Sequence, residues 1–263
     1  MEPRDVDNYE AFDLEPIRAR LDWAARHTQR LRKLVDAYVG ARPFKVYLYL
    51  SDDAETVTET VTLTSDPPLP ISLVLGDIAH HLRAALDNLV GVLRLGGPTR
   101  STAFPIAEAP ADFDRLAKQY MAEVPEWARR TVRELQPFDP ERGSIGQTLR
   151  VVDLVAQRDR HRALLLHAPI LETDTVDRAV GIAYSDAIDK QIVGHREIAF
   201  TYPAAAVVRF DYTVRIVVGE TIPGAQGEDV IHLAEHWLWA LRAAIDHVDA
   251  AADAAWARIH RDD

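Results

Sequence analysis

The sequence predicts an α+β protein in which antiparallel sheets pack against a bundle of long helices. Three observations predict it. Apolar residues repeat every 3.6 residues in some segments and every two in others. The two-residue segments fall into two blocks, with helices grouped between and after them. No regular βαβ alternation occurs, which argues against a doubly wound nucleotide fold. The predicted order is one helix, two strands, four helices, four strands and a closing helix, read as one domain spanning 1–263, with 1–13 a candidate disordered segment.

The first helix rests on Leu14, Ile17, Leu21, Ala24, Leu31, Val35 and Tyr38, one face of a 3.6-residue period, and Gly40 and Pro43 end it. The period then changes to two. Phe44, Val46, Leu48 and Leu50 alternate with Lys45, Tyr47, Tyr49 and Ser51, and after Asp52-Asp53 the run ETVTETVTLT alternates again, so the pair forms a hairpin. The stretch SDPPLP at 65–70 breaks the strand and introduces a long helix from about Ile71 to Leu95, closed by Gly96-Gly97-Pro98. Its core stripe is Leu75, Ile78, Leu82, Leu86, Leu89 and Leu93.

Two shorter helices at about 110–122 and 125–135 each open near a proline, whose fixed φ suits a first helical turn. A further helix runs from about Ser144 to Arg160. Four β segments follow, ALLLHAPIL, VGIAYS, REIAFTY and AVVRFDYTVRIVVG, divided by Asp, Gly and Pro. A Gly/Pro loop at 219–227 leads to a closing helix of some thirty residues with the stripe Ala234, Leu238, Leu241, Ile245 and Val248.

Composition removes several function classes. The chain has no cysteine, which excludes a disulfide scaffold, a thiolate zinc site, an iron–sulfur cluster and a cysteine nucleophile. Its net charge of −11, from 30 basic and 41 acidic residues, opposes adhesion to nucleic acid or anionic membranes. The N-terminus lacks an apolar signal region and no stretch reaches 18 uncharged apolar residues, so a cytoplasmic protein without a membrane span is expected. Only Lys33, Lys45, Lys118 and Lys190 are lysines, so the other 26 of the 30 basic residues are arginine, a usage that suggests a GC-rich bacterial genome.

The string GDIAHHLRAALDNLVGVL, then TAFPI at 102–106, LQPF at 135–138 and DRHR at 159–162, resembles a family of bacterial proteins of unassigned function. In that family the pattern is G-D-x-x-H-x-L-R-x-A-L-D-x-L, then F-P-I, L-Q-P-[FY] and D-K-H-R. The resemblance spans residues 70 to 165 and departs at Arg160, where the family has lysine. It implies which positions belong together and brings no activity, substrate or cofactor.

Four constellations carry candidate chemistry. His232-Leu-Ala-Glu235-His236 is an H-x-x-E-H string, the inverted zinc-protease helix. A third ligand is missing, since no glutamate follows Glu235, and both histidines lie away from the core stripe, so no metal or other cofactor is expected. Arginine–histidine pairs at HEPN-like ribonuclease spacing occur as Arg20/His27, Arg160/His167, Arg162/His167 and Arg242/His247, no more than chance gives in so arginine-rich a chain.

The other two constellations form a predicted seam. On the long middle helix Asp77, His80, Arg83 and Asp87 fall three, three and four apart and share one face, with His81 and Asn88 on the shoulder of the apolar stripe. At the end of the Ser144–Arg160 helix, Arg158, Asp159, Arg160, His161 and Arg162 stand in a row. Arginine forks offer bidentate donors to phosphate or carboxylate, and histidine moves protons near neutral pH. The expectation is therefore a binding or interaction protein whose partner is a small anionic ligand at Asp77, His80, His81, Arg83, Asp87, Asp159, Arg160, His161 and Arg162, or another protein, including a second copy. The alternative is a hydrolase or HEPN-like ribonuclease on the same cluster. An enzyme should gather these residues in a concave pocket, whereas an interaction module should show an apolar patch, for which Trp239 is the sequence hint.

Overall fold

The computed structural model describes residues 13–95, 97–160, 163–177, 189–193, 196–205, 208–219 and 221–259. Helix α1 (Glu15–Gly40) leads into the hairpin β1 (Phe44–Leu50) and β2 (Thr56–Leu63). Four helices follow: α2 (Leu69–Leu93), α3 (Pro110–Tyr120), α4 (Glu126–Glu134) and α5 (Gly143–Asp159). Then come β3 (Leu166–His167), β4 (Ile170–Asp177), β5 (Asp189–Val193), β6 (Glu197–Pro203), β7 (Val208–Val214) and β8 (Val217–Val218), and α6 (Val230–Ile259) closes the order. The named strands pair antiparallel throughout, so the α+β class holds.

The strand count departs from the expected four in the second block. The ALLLHAPIL run is two strands, β3 and β4, divided at Ala168-Pro169, because proline lacks an N–H for the ladder and restricts the residue before it. The last β run also splits: β7 pairs with β4, and after Arg215-Ile216 the short β8 pairs with β3. Strand β5 was not expected at all. The expected VGIAYS strand lies outside the described residues, as do residues 1–12 of the candidate disordered segment.

Helix α2 is the axis of the core. Its predicted stripe of Leu75, Ile78, Leu82, Leu86, Leu89 and Leu93 is buried, each leucine contributing about 1.5–3 kcal/mol of transfer free energy. Burial extends to Ile71, Val74, Ala79, Ala85 and Val90, a wider face than one partner requires, because α1, α5 and α6 all pack against this helix. On α6 the predicted stripe is buried, together with Trp237, which the periodicity did not assign.

The largest sheet has the order β1-β2-β6-β5. Its second, smaller core consists of Val61, Ile198, Phe200 and Tyr202, capped by Ile170 and Tyr212 from the β4–β7 pair. Inside it Glu59 accepts hydrogen bonds from the hydroxyls of Tyr202 (3.0 Å) and Tyr212 (2.8 Å), which satisfies an otherwise costly buried carboxyl. The cover reaches Phe44 at the start of β1 and goes no further along that strand.

Candidate functional site

The predicted polar seam exists where α2 crosses α5. Asp159 is the last residue of α5, and its carboxylate rests against the backbone of α2 at Gly76, where any Cβ would collide with it. That approach puts Asp159 Oδ2 3.1 Å from Nε2 of His80, one turn along α2. Burial pushes the Asp159 carboxyl up from its ordinary value, and the neighbouring His80 pulls it back.

One turn further, Arg83 is almost fully paired. Its Nε lies 2.9 Å from Asp153 Oδ1 on α5, and its Nη2 lies 3.1 Å from Asp87 Oδ1. The same Nη2 donates to the Phe104 carbonyl at 3.0 Å, while the Phe104 N–H donates to Asp87 at 2.9 Å. Burial raises the Asp153 carboxyl, with Asp87 adding to the rise and Arg83 and Arg160 opposing it. The Nη1 atom of Arg83 is buried without a hydrogen-bond partner.

The seam continues into the two loops. Gln136, wholly buried, donates from Nε2 to the carbonyls of Pro105 (3.0 Å) and Val132 (2.9 Å) and accepts from the Ala107 N–H (2.9 Å). The four sequence blocks thus meet as one hydrogen-bonded chain: the α2 face, the Phe104–Ile106 segment, Gln136 and Asp159.

Not every predicted residue joins it. Asp77 and Arg160 are exposed, each acting on the seam only through its charge. His81 turns toward α1, where its ring stacks on His27 (5.4 Å between centroids) and on Trp23 (6.2 Å), with Arg26 over the tryptophan face. Burial, then His27 and Arg20, lower its pKa. His161 and Arg162 lie outside the described residues.

Two seam residues were not among the expected site residues, Gly76 figuring only as the first letter of the middle-helix block. Asp153, a lone acid between the buried Val152 and the half-buried Leu154, carried a usable signal, because an acid beside an apolar stripe needs a partner. Gly76, a glycine inside a helix, carried another, because such a glycine usually marks a close approach.

Among the described residues, His80 hydrogen bonds to Asp159 and to no nucleophile. None of the four cavities described is lined by a predicted site residue. The largest, about 720 Å³, lies between Leu63, the 66–69 turn and the Leu164–Ala168 segment.

The H-x-x-E-H string is spent on surface contacts: His236 Nε2 pairs with Thr148 Oγ1 at 3.0 Å, its ring stacks on Trp239, and Glu235 pairs with Arg32. No cluster of three metal-ligating side chains occurs among the described residues, and none of their helices is long and apolar enough to cross a membrane. Trp239 is exposed as expected, and among the described residues the longest unbroken run of exposed large hydrophobics, Val46–Leu50, lies elsewhere, on β1. No family model, curated protein or solved structure matches this chain.

Proposed function

We propose that the protein is an interaction module that docks an extended partner segment along the free edge of β1, with the His/Arg/Asp seam as the brace that holds its helical body together. One observation carries this reading. Val46, Tyr47, Leu48, Tyr49 and Leu50 are 43%, 44%, 65%, 57% and 60% exposed, so both faces of an apolar edge strand are open to solvent. Natural edge strands are normally shielded by proline, a bulge, charge or a covering element. β1 has no proline and no break in its register with β2, and its one charge is Lys45. An apolar edge left in this state is a binding feature, since main-chain hydrogen bonds supply affinity and alternate side chains supply selectivity.

A benzophenone amino acid in place of Leu48, photolysed in cells that express the protein, tests the reading. A discrete covalent adduct supports it. Failure to form any adduct, with the same residue at an exposed control position such as Trp256 equally silent, overturns it.

A second reading keeps the seam as an anion site, since Arg83 Nη1 lacks a partner and the His80 side chain is about one-third exposed. Against it, Asp153, Asp87 and the Phe104 carbonyl already occupy the remaining donors. Phosphate or sulfate that raises Tm in the native chain but not in Arg83→Met would favour it.

A further inference from the structure

Resting on the reading of β1 as a docking edge, we infer that the segment it takes is β1 of a second copy, paired antiparallel about a two-fold axis at Tyr47. The ladder with β2 identifies which backbone groups are available. Ser51 N–H bonds the Thr56 carbonyl and Thr64 N–H bonds the Pro43 carbonyl, so the odd-numbered residues of this strand face β2. By alternation the N–H groups of Val46, Leu48 and Leu50 and the carbonyls of Phe44, Val46, Leu48 and Leu50 point outward. The Phe44 N–H is already bonded to the Arg42 carbonyl.

A two-fold pairing centred on Tyr47 uses every outward N–H of this set and leaves over only the Leu50 carbonyl. It sets Val46 opposite the second copy's Leu48, and Leu50 opposite the second copy's Phe44, so every outward N–H in the pair meets an outward carbonyl. Apolar side chains then share one face. On the other face Lys45 stands opposite the second copy's Tyr49, a cation against a ring, and the two Tyr47 side chains meet at the axis.

Charge fits the same register. Two residues beyond the ends of the strand, the same register brings the exposed Arg42 to the level of the second copy's exposed Asp52. Shifting the axis to Leu48 removes that pairing. The five exposed β1 side chains present on the order of 500 Å² per copy, of which edge pairing covers the flanks that face the neighbouring strand. The product is a continuous sheet of eight strands, β5-β6-β2-β1 joined to its own copy.

Sedimentation and amide exchange test it on the full chain. At about 1 to 100 µM the protein should sediment at twice its 29.4 kDa chain mass. The amides of Val46, Leu48 and Leu50 should gain protection with concentration, while those of Lys45, Tyr47 and Tyr49, bonded to β2, stay protected at every concentration. Leu48→Lys, an exposed and therefore fold-neutral change, should make the chain a monomer.

The decisive arm is a charge swap. Asp52→Arg should weaken the dimer at least about tenfold by facing Arg42, and Arg42→Asp in the same chain should restore it. Aspartate also tolerates the left-handed conformation at position 42 (φ 49°). The two positions lie at opposite ends of β1, at least about 20 Å apart within one copy, so rescue can only act between copies. A monomer at about 100 µM with freely exchanging Val46, Leu48 and Leu50 amides overturns the second copy as partner. A dimer that Leu48→Lys leaves intact overturns it as well. In either case a heterologous adduct at position 48 would leave the interaction module standing, whereas no adduct would remove both.

Discussion

His80 Nε2 lies 3.1 Å from Asp159 Oδ2, and the bond exists because the residue one turn earlier on α2, Gly76, has no side chain. Helix propensity alone would favour alanine at an interior glycine by about 1 kcal/mol. Here the sign reverses, since a Cβ at position 76 would strike the Asp159 carboxylate. Gly76→Ala should therefore destabilise the protein by about 1–3 kcal/mol in urea denaturation. Adding Asp159→Ala should return part of the loss, because the obstructing group is gone. A Gly76→Ala chain more stable than the native one would show that the two helices do not approach this closely.

The two acidic residues of α5 make stability depend on pH in a specified direction. Asp153 and Asp159 both have pKa values raised above 3.8, chiefly by burial. Between 3.8 and the raised values the folded state holds protons that the unfolded state has released, so stability falls as pH rises through that interval. Asp159→Asn should flatten this decline, measured as unfolding free energy from about pH 4 to about pH 7. An unchanged or steeper slope would remove Asp159 from the account.

Gln136 joins three backbone groups of the interior, two carbonyls and one N–H. Gln136→Leu fits the volume but leaves those groups without partners, at about 1–3 kcal/mol for each one that stays dry. A loss of about 3 kcal/mol, or roughly a 10 °C drop in Tm, is expected. Gln136→Glu should be no better, since a carboxylate cannot donate to Pro105 and Val132. Thermal melts of the two variants that match the native curve would count against the link between the Phe104–Ile106 segment and α4.

In the small sheet core, Tyr202 has a phenol pKa pushed up to about 12, first by burial and then by the charge and hydrogen bond of Glu59. Ultraviolet titration should show a tyrosinate that appears late, and Glu59→Gln should bring it earlier by removing the charge. The folded state retains that proton while an unfolded chain loses it near pH 10, so stability declines from there upward through about 12. A native titration indistinguishable from that of Tyr202→Phe would contradict the buried triad.

Much of the scaffold was legible from spacing. The stripe on α2 and the stripe on α6 are buried as their 3.6-residue period required, and the shared face of His80, Arg83 and Asp87 follows from steps of three and four. Trp237 was missed because its neighbours Leu238 and Leu241 already accounted for a single face, whereas α6 packs against α1, α2, α4 and α5. Strand β1 misled in the opposite direction. Its alternation implied a buried apolar face, and the covering pair β4–β7 stops at Phe44.

The residues settle locally which side of each helix and strand is apolar, where proline and glycine interrupt the chain, and which chemistries the missing cysteines remove, because these depend on neighbours a few positions away. Tertiary structure decided what lies opposite each face. It brought Asp159 to Gly76 and Asp153 to Arg83 across seventy positions or more, turned His81 toward His27, and left β1 uncovered. Periodicity records that a surface is suited to burial, but the partner that buries it is selected by packing among distant elements, and no local pattern carries that information.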